Sequence, residues 1–221
     1  MKTPLPYPGG KQRRAAEIVR LINAVKHNCY CEPFAGGLSV LFAKNISPCE
    51  IVNDKNGVIV NFWKVVRDWP EELLTEMEAL AISSEQLHGE ARKLVFGCQE
   101  ADDLCKRDKI RTAWAIWYLH RLSIFGLSEN NWRASNDRNT SLNRMHGQIR
   151  EMKNGLFARM KHVQIANNDF EKCLISQTAI KRLSFLIRLT RQVTQGLMMP
   201  SRVKTCCVLL NVAGAVRAIS Y

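Results

Sequence analysis

The chain has 221 residues, 46% of them apolar, and a formal net charge of +12. That length buries one sizeable core plus a small lobe, and with no apolar run long enough for a bilayer and no signal-peptide stretch at the start, the expectation is a cytoplasmic protein without a membrane partner. Its eight cysteines (Cys29, Cys31, Cys49, Cys98, Cys105, Cys173, Cys206, Cys207) make no CxxC pair, which argues against structural zinc and reads instead as small buried hydrophobes.

The first segment, Pro6-Tyr7-Pro8-Gly9-Gly10-Lys11, is a flexible turn between an aromatic and a cation. It reads either as a surface turn before the next helix or as a turn that packs on a ligand. Ala15, Ile18, Val19, Leu21, Ile22 and Val25 recur at helical spacing, predicting a helix from Lys11 to about Val25. Asn28 to Cys31 reads as a short strand. It leads into Cys31-Glu32-Pro33-Phe34-Ala35-Gly36-Gly37, and Leu38–Lys44 then reads as a helix. An acid, a tight turn and two glycines before a helix N-terminus let a backbone approach a ligand closely. Ile51-Val52 is a second strand. It ends on Asn53-Asp54, an acid about 20 residues past the glycine turn, the spacing at which a doubly wound fold hydrogen-bonds a ribose. Asp54 reads equally as a turn or capping acid before the next helix.

Further helices are predicted at Gly57–Trp69, Glu71–Leu80, Ser84–Ala101 and Lys109–Ile124. In the last of these, Trp114, Trp117, Tyr118 and Leu122 return at three- and four-residue steps, and the tryptophans read as core. Gly126–Asn139 reads as loop, 141–160 as a polar, basic helix or loop, and His162–Ala166 as a third strand. Strand–helix alternation at both ends around a helical block suggests a parallel sheet with an inserted lobe.

Taken in order, PYPGGK, EPFAGG and VNDKN resemble the N-terminal half of the Dam-like (D12 class) adenine-N6 DNA methyltransferases, over about Pro4 to Phe170. The resemblance implies an α/β fold. A Rossmann-like methyltransferase sheet, incomplete here, would come from 1–70 and 160–174, with a mainly helical target-recognition lobe at 71–159 and an aberrant basic tail at 175–221. It implies S-adenosylmethionine (AdoMet) as cofactor, double-stranded DNA with a flipped adenine as partner, no metal, and a monomer. The cofactor would be held by Tyr7, Gly9, Gly10, Lys11, Glu32, Pro33, Phe34, Ala35, Gly36, Gly37, Asp54, Asp169 and Phe170. Among these, Glu32 would sit near the ammonium, Asp54 at the ribose, and Asp169 and Phe170 at the adenine, though Asp169 also reads as a helix cap. Arg121, Asn131, Arg133, Asn136, Arg138 and Arg144 would supply donors to phosphates and base edges. A dinucleotide-dependent oxidoreductase also uses a glycine turn, but leaves PYPGGK without a role.

All 20 acids lie at or before Glu171, and residues 172–221 carry eight bases and no acid. The net charge is therefore poor evidence for nucleic-acid binding. The family's catalytic Asp-Pro-Pro-Tyr should follow soon after Asp169-Phe170, and it occurs nowhere in the chain. Leu186-Ile187-Arg188-Leu189-Thr190 can nevertheless be encoded TTG ATC CGC CTT ACC, and the frame that starts at the last base of Leu186 then reads GAT CCG CCT TAC, which is that tetrapeptide. The expectation is a tail translated out of frame, weak or absent methyl transfer, and a poorly stable sheet. A non-catalytic remnant that binds DNA or AdoMet is the other reading.

Overall fold

The computed structural model describes residues 2–7, 10–24, 27–98, 103–123, 132 and 140–173, together with the backbone of three strands at 183–189, 206–212 and 215–220. Lys11–Arg13 winds into a 3-10 turn, so helix α1 begins only at Ala15 and runs to Asn23, burying Ala15, Ile18 and Ile22. Strand β1 (Cys29–Glu32) is buried along its whole length, as a central parallel strand must be. It pairs in parallel with β2 (Cys49–Asn53), which pairs in parallel with β3 (Gln164–Ala166). Between them lies the short helix α2 (Ser39–Ala43).

The two faces of β1 differ. Tyr30 lies in the main core with Val52, while Cys29 and Cys31 point to the opposite face and meet Ile51 and Cys173 in a small satellite cluster. On the other edge of β1, β4 (Leu183–Leu189) joins in parallel through Tyr30↔Leu183 and Cys31↔Ser184. β5 (Cys206–Val212) and β6 (Ala215–Ser220) continue antiparallel, giving the order β3-β2-β1-β4-β5-β6. The sheet thus extends beyond the incomplete one expected, because apolar runs in the basic tail supply ladder-forming backbone whatever their charge.

The helical block does not stand apart from the sheet. α3 (Gly57–Asp68) is capped by Asn56, whose side chain accepts from the Val58 and Ile59 N–H groups. Proline at its first position starts α4 (Pro70–Ala79), and Ser84 caps α5 (Glu85–Gly97). α6 (Lys106–Leu122) packs against α3, α4 and α5. Trp63 of α3 and Trp114 and Trp117 of α6 are fully buried in one cluster shared with β1 and β2. The expected loop or helix at 141–160 is helical. It comprises α7 (Thr140–Glu151), a π-type segment at Met152–Leu156 that kinks at Gly155 (φ 127°), and α8 (Phe157–Met160). Of the loop expected at Gly126–Asn139, only Trp132 lies among the described residues, bridged to Ser123.

Candidate functional site

At the C-terminal ends of β1, β2 and β3, three separate stretches of sequence are tied into one unit. The residue that ties them is Asn53, which is 1% exposed. Its amide donates to the Pro33 carbonyl at 3.0 Å and to the Asn168 carbonyl at 2.9 Å, and its side-chain oxygen accepts from the Asn168 N–H at 2.9 Å. Its backbone carbonyl accepts from the Ala35 N–H at 2.8 Å. Asn167 adds side-chain bonds to the carbonyls of Asp54 and Lys55. The sequence expectations assigned Asn53 no role. The available signal was a polar side chain closing an apolar strand, which must find partners when buried.

Asp54 lies beside it. Its carboxylate accepts the Gly36 N–H at 2.9 Å and the Asn56 N–H at 3.0 Å. This is the turn-forming arrangement, while the cap of α3 is Asn56. Each oxygen keeps lone-pair capacity for a further donor. Trp63 Nε1 donates to the Gly36 carbonyl at 2.8 Å, so the glycine turn is held from both β2 and α3.

The glycines of this turn accommodate the chain itself. Gly36 has φ +45°, and a Cβ there would lie 3.1 Å from the Tyr7 ring. At Gly37 a Cβ would lie 2.4 Å from the Leu5 carbonyl oxygen. Residues 5–7 therefore lie against EPFAGG, and the close approach expected for a ligand is here the approach of the N-terminal segment. That segment folds back through a Gly10 N–H to Tyr7 carbonyl bond of 2.8 Å, and the Tyr7 ring sits 5.6 Å from the His120 ring of α6. Tyr7 remains 36% exposed.

Glu32 is the electrostatic centre of the unit. It is 4% exposed, and burial pushes its carboxyl up to about 7, although Lys11, the Tyr30 hydroxyl, the Leu41 N–H and Lys44 all favour the ionised form. Tyr30 donates to Oε2 at 2.9 Å. Across the turn, the Phe34 and Phe170 rings lie 5.5 Å apart at 30°. Asp169 is exposed. It accepts from the Glu171 N–H at 3.1 Å, starting the helical turn at 170–173, and pairs loosely with Lys55 at 3.4 Å. Its capping reading is thus realised.

A second buried charge cluster supports the unit from behind. Lys44 meets Glu50 at 2.5 Å, Arg159 binds both oxygens of Glu50, and the Ser47 N–H adds a third donor. Burial works against the Glu50 charge, yet these donors hold its carboxyl below the usual range.

Most of the expected cofactor residues, Tyr7, Gly10, Lys11, Glu32 to Gly37, Asp54, Asp169 and Phe170, belong to these neighbouring segments. Gly9 lies outside the described residues. Of the expected DNA-contacting residues, Asn131, Arg133, Asn136 and Arg138 also lie outside them. Arg144 is exposed on α7. Arg121 is turned inward and donates to the Pro4 carbonyl at 3.2 Å, with its pKa lowered to about 10 by burial and by Arg144, against the pull of Glu151. It anchors the N-terminal segment to α6.

A family description, D12 class N6 adenine-specific DNA methyltransferase, matches residues 7–182. The chain belongs to this family. The activity of this family is adenine-N6 methylation of DNA, with AdoMet as the methyl donor. The match spans the unit described above from Tyr7 onward and ends one residue before β4. Among the described residues there is no cluster of three His, Cys, Asp or Glu side chains able to hold a metal, and no helix long and apolar enough to cross a membrane.

The donor set fits the family's cofactor. Glu32 is a buried carboxylate whose burial outweighs its four favourable neighbours. The methionine part of AdoMet carries an ammonium, and its nucleoside offers hydroxyls and an aromatic ring to Asp54 and to the aromatic side chains.

Proposed function

We propose that this chain binds AdoMet at the C-terminal ends of β1 to β3, and that its methyl-transfer step is impaired. When bound, AdoMet supplies an electrophilic methyl group on a sulfonium. Glu32 binds the ammonium, and Lys11, whose charge already acts on Glu32, takes the carboxylate. Asp54 accepts from the ribose hydroxyls with the lone pairs its turn bonds leave over. Phe34 and Phe170, whose rings lie 5.5 Å apart and tilted by 30°, offer an aromatic surface beside which the adenine packs, and Tyr7 covers the site. Arg144 and the four polar residues Asn131, Arg133, Asn136 and Arg138 contact DNA, from which the target adenine must leave the stack. Glu32 carries the cofactor assignment: it is a buried carboxylate at the end of the central strand, inside the stretch the family match covers.

The impairment rests on chemistry the chain lacks. The exocyclic amine of adenine is a poor nucleophile, since its lone pair is delocalised into the ring. Its two hydrogens need acceptors if density is to move toward the sulfonium, and residues 172–221 contain no side-chain carboxylate. An out-of-frame tail accounts for this. The Leu186–Thr190 segment that can encode the tetrapeptide in another frame overlaps β4, whose pairing with β1 begins at Tyr30↔Leu183, two residues before Glu32. The restored tetrapeptide would thus fall beside the cofactor turn. A non-catalytic AdoMet-binding protein is the form this reading takes for the chain as it stands.

Calorimetry with AdoMet, together with a radiolabelled-methyl transfer assay on DNA, tests both parts. Uptake without turnover is expected, with turnover regained when the coding frame is shifted after codon 182. Normal turnover by the chain as written would refute the impairment, and no uptake by a folded sample would refute the cofactor assignment.

A further inference from the structure

The geometry points to Tyr30 as a positioning residue for Glu32, its hydroxyl holding one carboxylate oxygen so that the ionised group faces the ammonium of the cofactor. This rests on the AdoMet reading above. Tyr30 and Glu32 are two residues apart on β1 and so project from the same face of the sheet. The hydroxyl donates to Oε2 at 2.9 Å, and both side chains are buried. Lys44 Nζ lies 4.5 Å from the Tyr30 ring centroid and is itself fixed by Glu50. A cation over the ring draws electron density from the phenol and makes its hydroxyl a better donor. Burial first, and then the charge of Glu32 and the hydrogen bond to it, raise the Tyr30 pKa, so the phenol stays protonated as a donor throughout the neutral range.

Among the described residues, the groups acting on Glu32 come from three sides. They are Tyr30 on its own strand, Lys11 from the first turn, and Lys44 with the Leu41 N–H from α2 and its end. Lys11 belongs to the mouth of the site and is needed for the ligand's own carboxylate. Tyr30 approaches from within the core, where it fixes one oxygen without blocking the ligand. A hydrogen bond to the ionised form favours that form, so its loss moves the Glu32 titration to higher pH.

The test compares the full chain with Tyr30→Phe, measuring affinity by calorimetry from pH 6 to pH 9. Two ligands are used: AdoMet, and 5′-methylthioadenosine, which keeps the nucleoside and sulfur but has no amino-acid part. Tyr30→Phe should weaken AdoMet about tenfold at neutral pH, the worth of one hydrogen bond to a charged group. It should regain most of that loss by pH 9, as Glu32 ionises, and should bind 5′-methylthioadenosine unchanged at every pH. An AdoMet affinity and pH profile identical to wild type, or an equal loss of both ligands, would overturn the role of Tyr30. A second readout needs no ligand: in urea titrations, the pH range over which ligand-free stability falls should move upward in the variant. If it stays put while wild type binds AdoMet, the Tyr30 assignment fails and the cofactor reading stands. If wild type binds neither ligand, the cofactor reading fails and this one with it.

Discussion

Replacing Glu32 with glutamine should stabilise the ligand-free protein at alkaline pH while abolishing tight AdoMet binding. Glu32 is fully enclosed, and its carboxyl is raised from an ordinary 4.5 to about 7. A carboxylate raised on folding contributes its stability in the protonated form. That contribution is complete below the unfolded value near 4.5 and is lost as pH rises through about 7. Converted at 1.36 kcal/mol per pKa unit, the loss is about 3 kcal/mol once Glu32 is ionised in both states. Glutamine keeps an oxygen for the Tyr30 hydroxyl and carries no charge, so it escapes the loss. Urea denaturation of both proteins at pH 5.5, 7 and 8.5 should therefore show the variant ahead by about 1.4 kcal/mol at the lowest pH and by about 3 kcal/mol at the two higher ones. Staying at or above pH 5.5 leaves Glu50 ionised, because its carboxyl lies below the usual range. A difference that does not change with pH, or a variant less stable at pH 8.5, would refute the claim that burial strains this carboxylate.

Asn53→Ala removes three side-chain hydrogen bonds that join the Pro33 turn to the Asn168 loop, and should cost about 3 kcal/mol by thermal or urea denaturation. Gly37→Ala drives a methyl group into the Leu5 carbonyl and should cost about 2 kcal/mol, with faster proteolysis of the first residues as its local sign. Lys44→Met leaves Glu50 with only Arg159 as a cation in a closed environment, and should lower stability by about 3 kcal/mol; calorimetric unfolding would measure it, and a neutral result would mean that Arg159 suffices. Trp63→Phe loses the bond to the Gly36 carbonyl and some packing, at about 2 kcal/mol on the same assay.

How much of this was legible depended on the kind of signal each residue leaves. The strands read at 28–31, 51–52 and 162–166 fall on or within two residues of those at 29–32, 49–53 and 164–166, and the helices between Gly57 and Leu122 announce themselves through apolar spacing, which reflects which face is buried. The motif segments were also legible as a set, since an acid or glycine ending an apolar run is a local pattern. What each motif residue touches was not. Gly36 and Gly37 read as room for a ligand, yet the room is taken by Leu5 and Tyr7, because a glycine says only that something comes close. Asp54 and Asp169 read as ligand acceptors and serve also to hold turns, since a carboxylate satisfies N–H groups wherever it finds them. Arg121 read as a donor to DNA and is found donating to the Pro4 carbonyl, because long-range contacts between residues 117 positions apart leave no local trace. The tail hid its strands behind an unusual charge balance.

Binding and turnover in this chain draw on different lengths of sequence, and that separation decides how the two can fail. Every side chain proposed to hold AdoMet comes from residues 7–170, inside the stretch shared with the family, and those segments are cross-linked by buried hydrogen bonds that do not involve the tail. The tail enters through β4, which shares β1 with the site and supplies backbone rather than acids. A strand needs only apolar residues and free N–H and C=O groups, so a reading-frame change can preserve sheet pairing while erasing a catalytic side chain. A buried carboxylate at the end of β1 then lies beside a strand that carries no acid. Such a protein should be stabilised by AdoMet as any binder is by its ligand, and the stabilisation should be strongest where Glu32 ionises, since only the charged carboxylate gains from the ammonium.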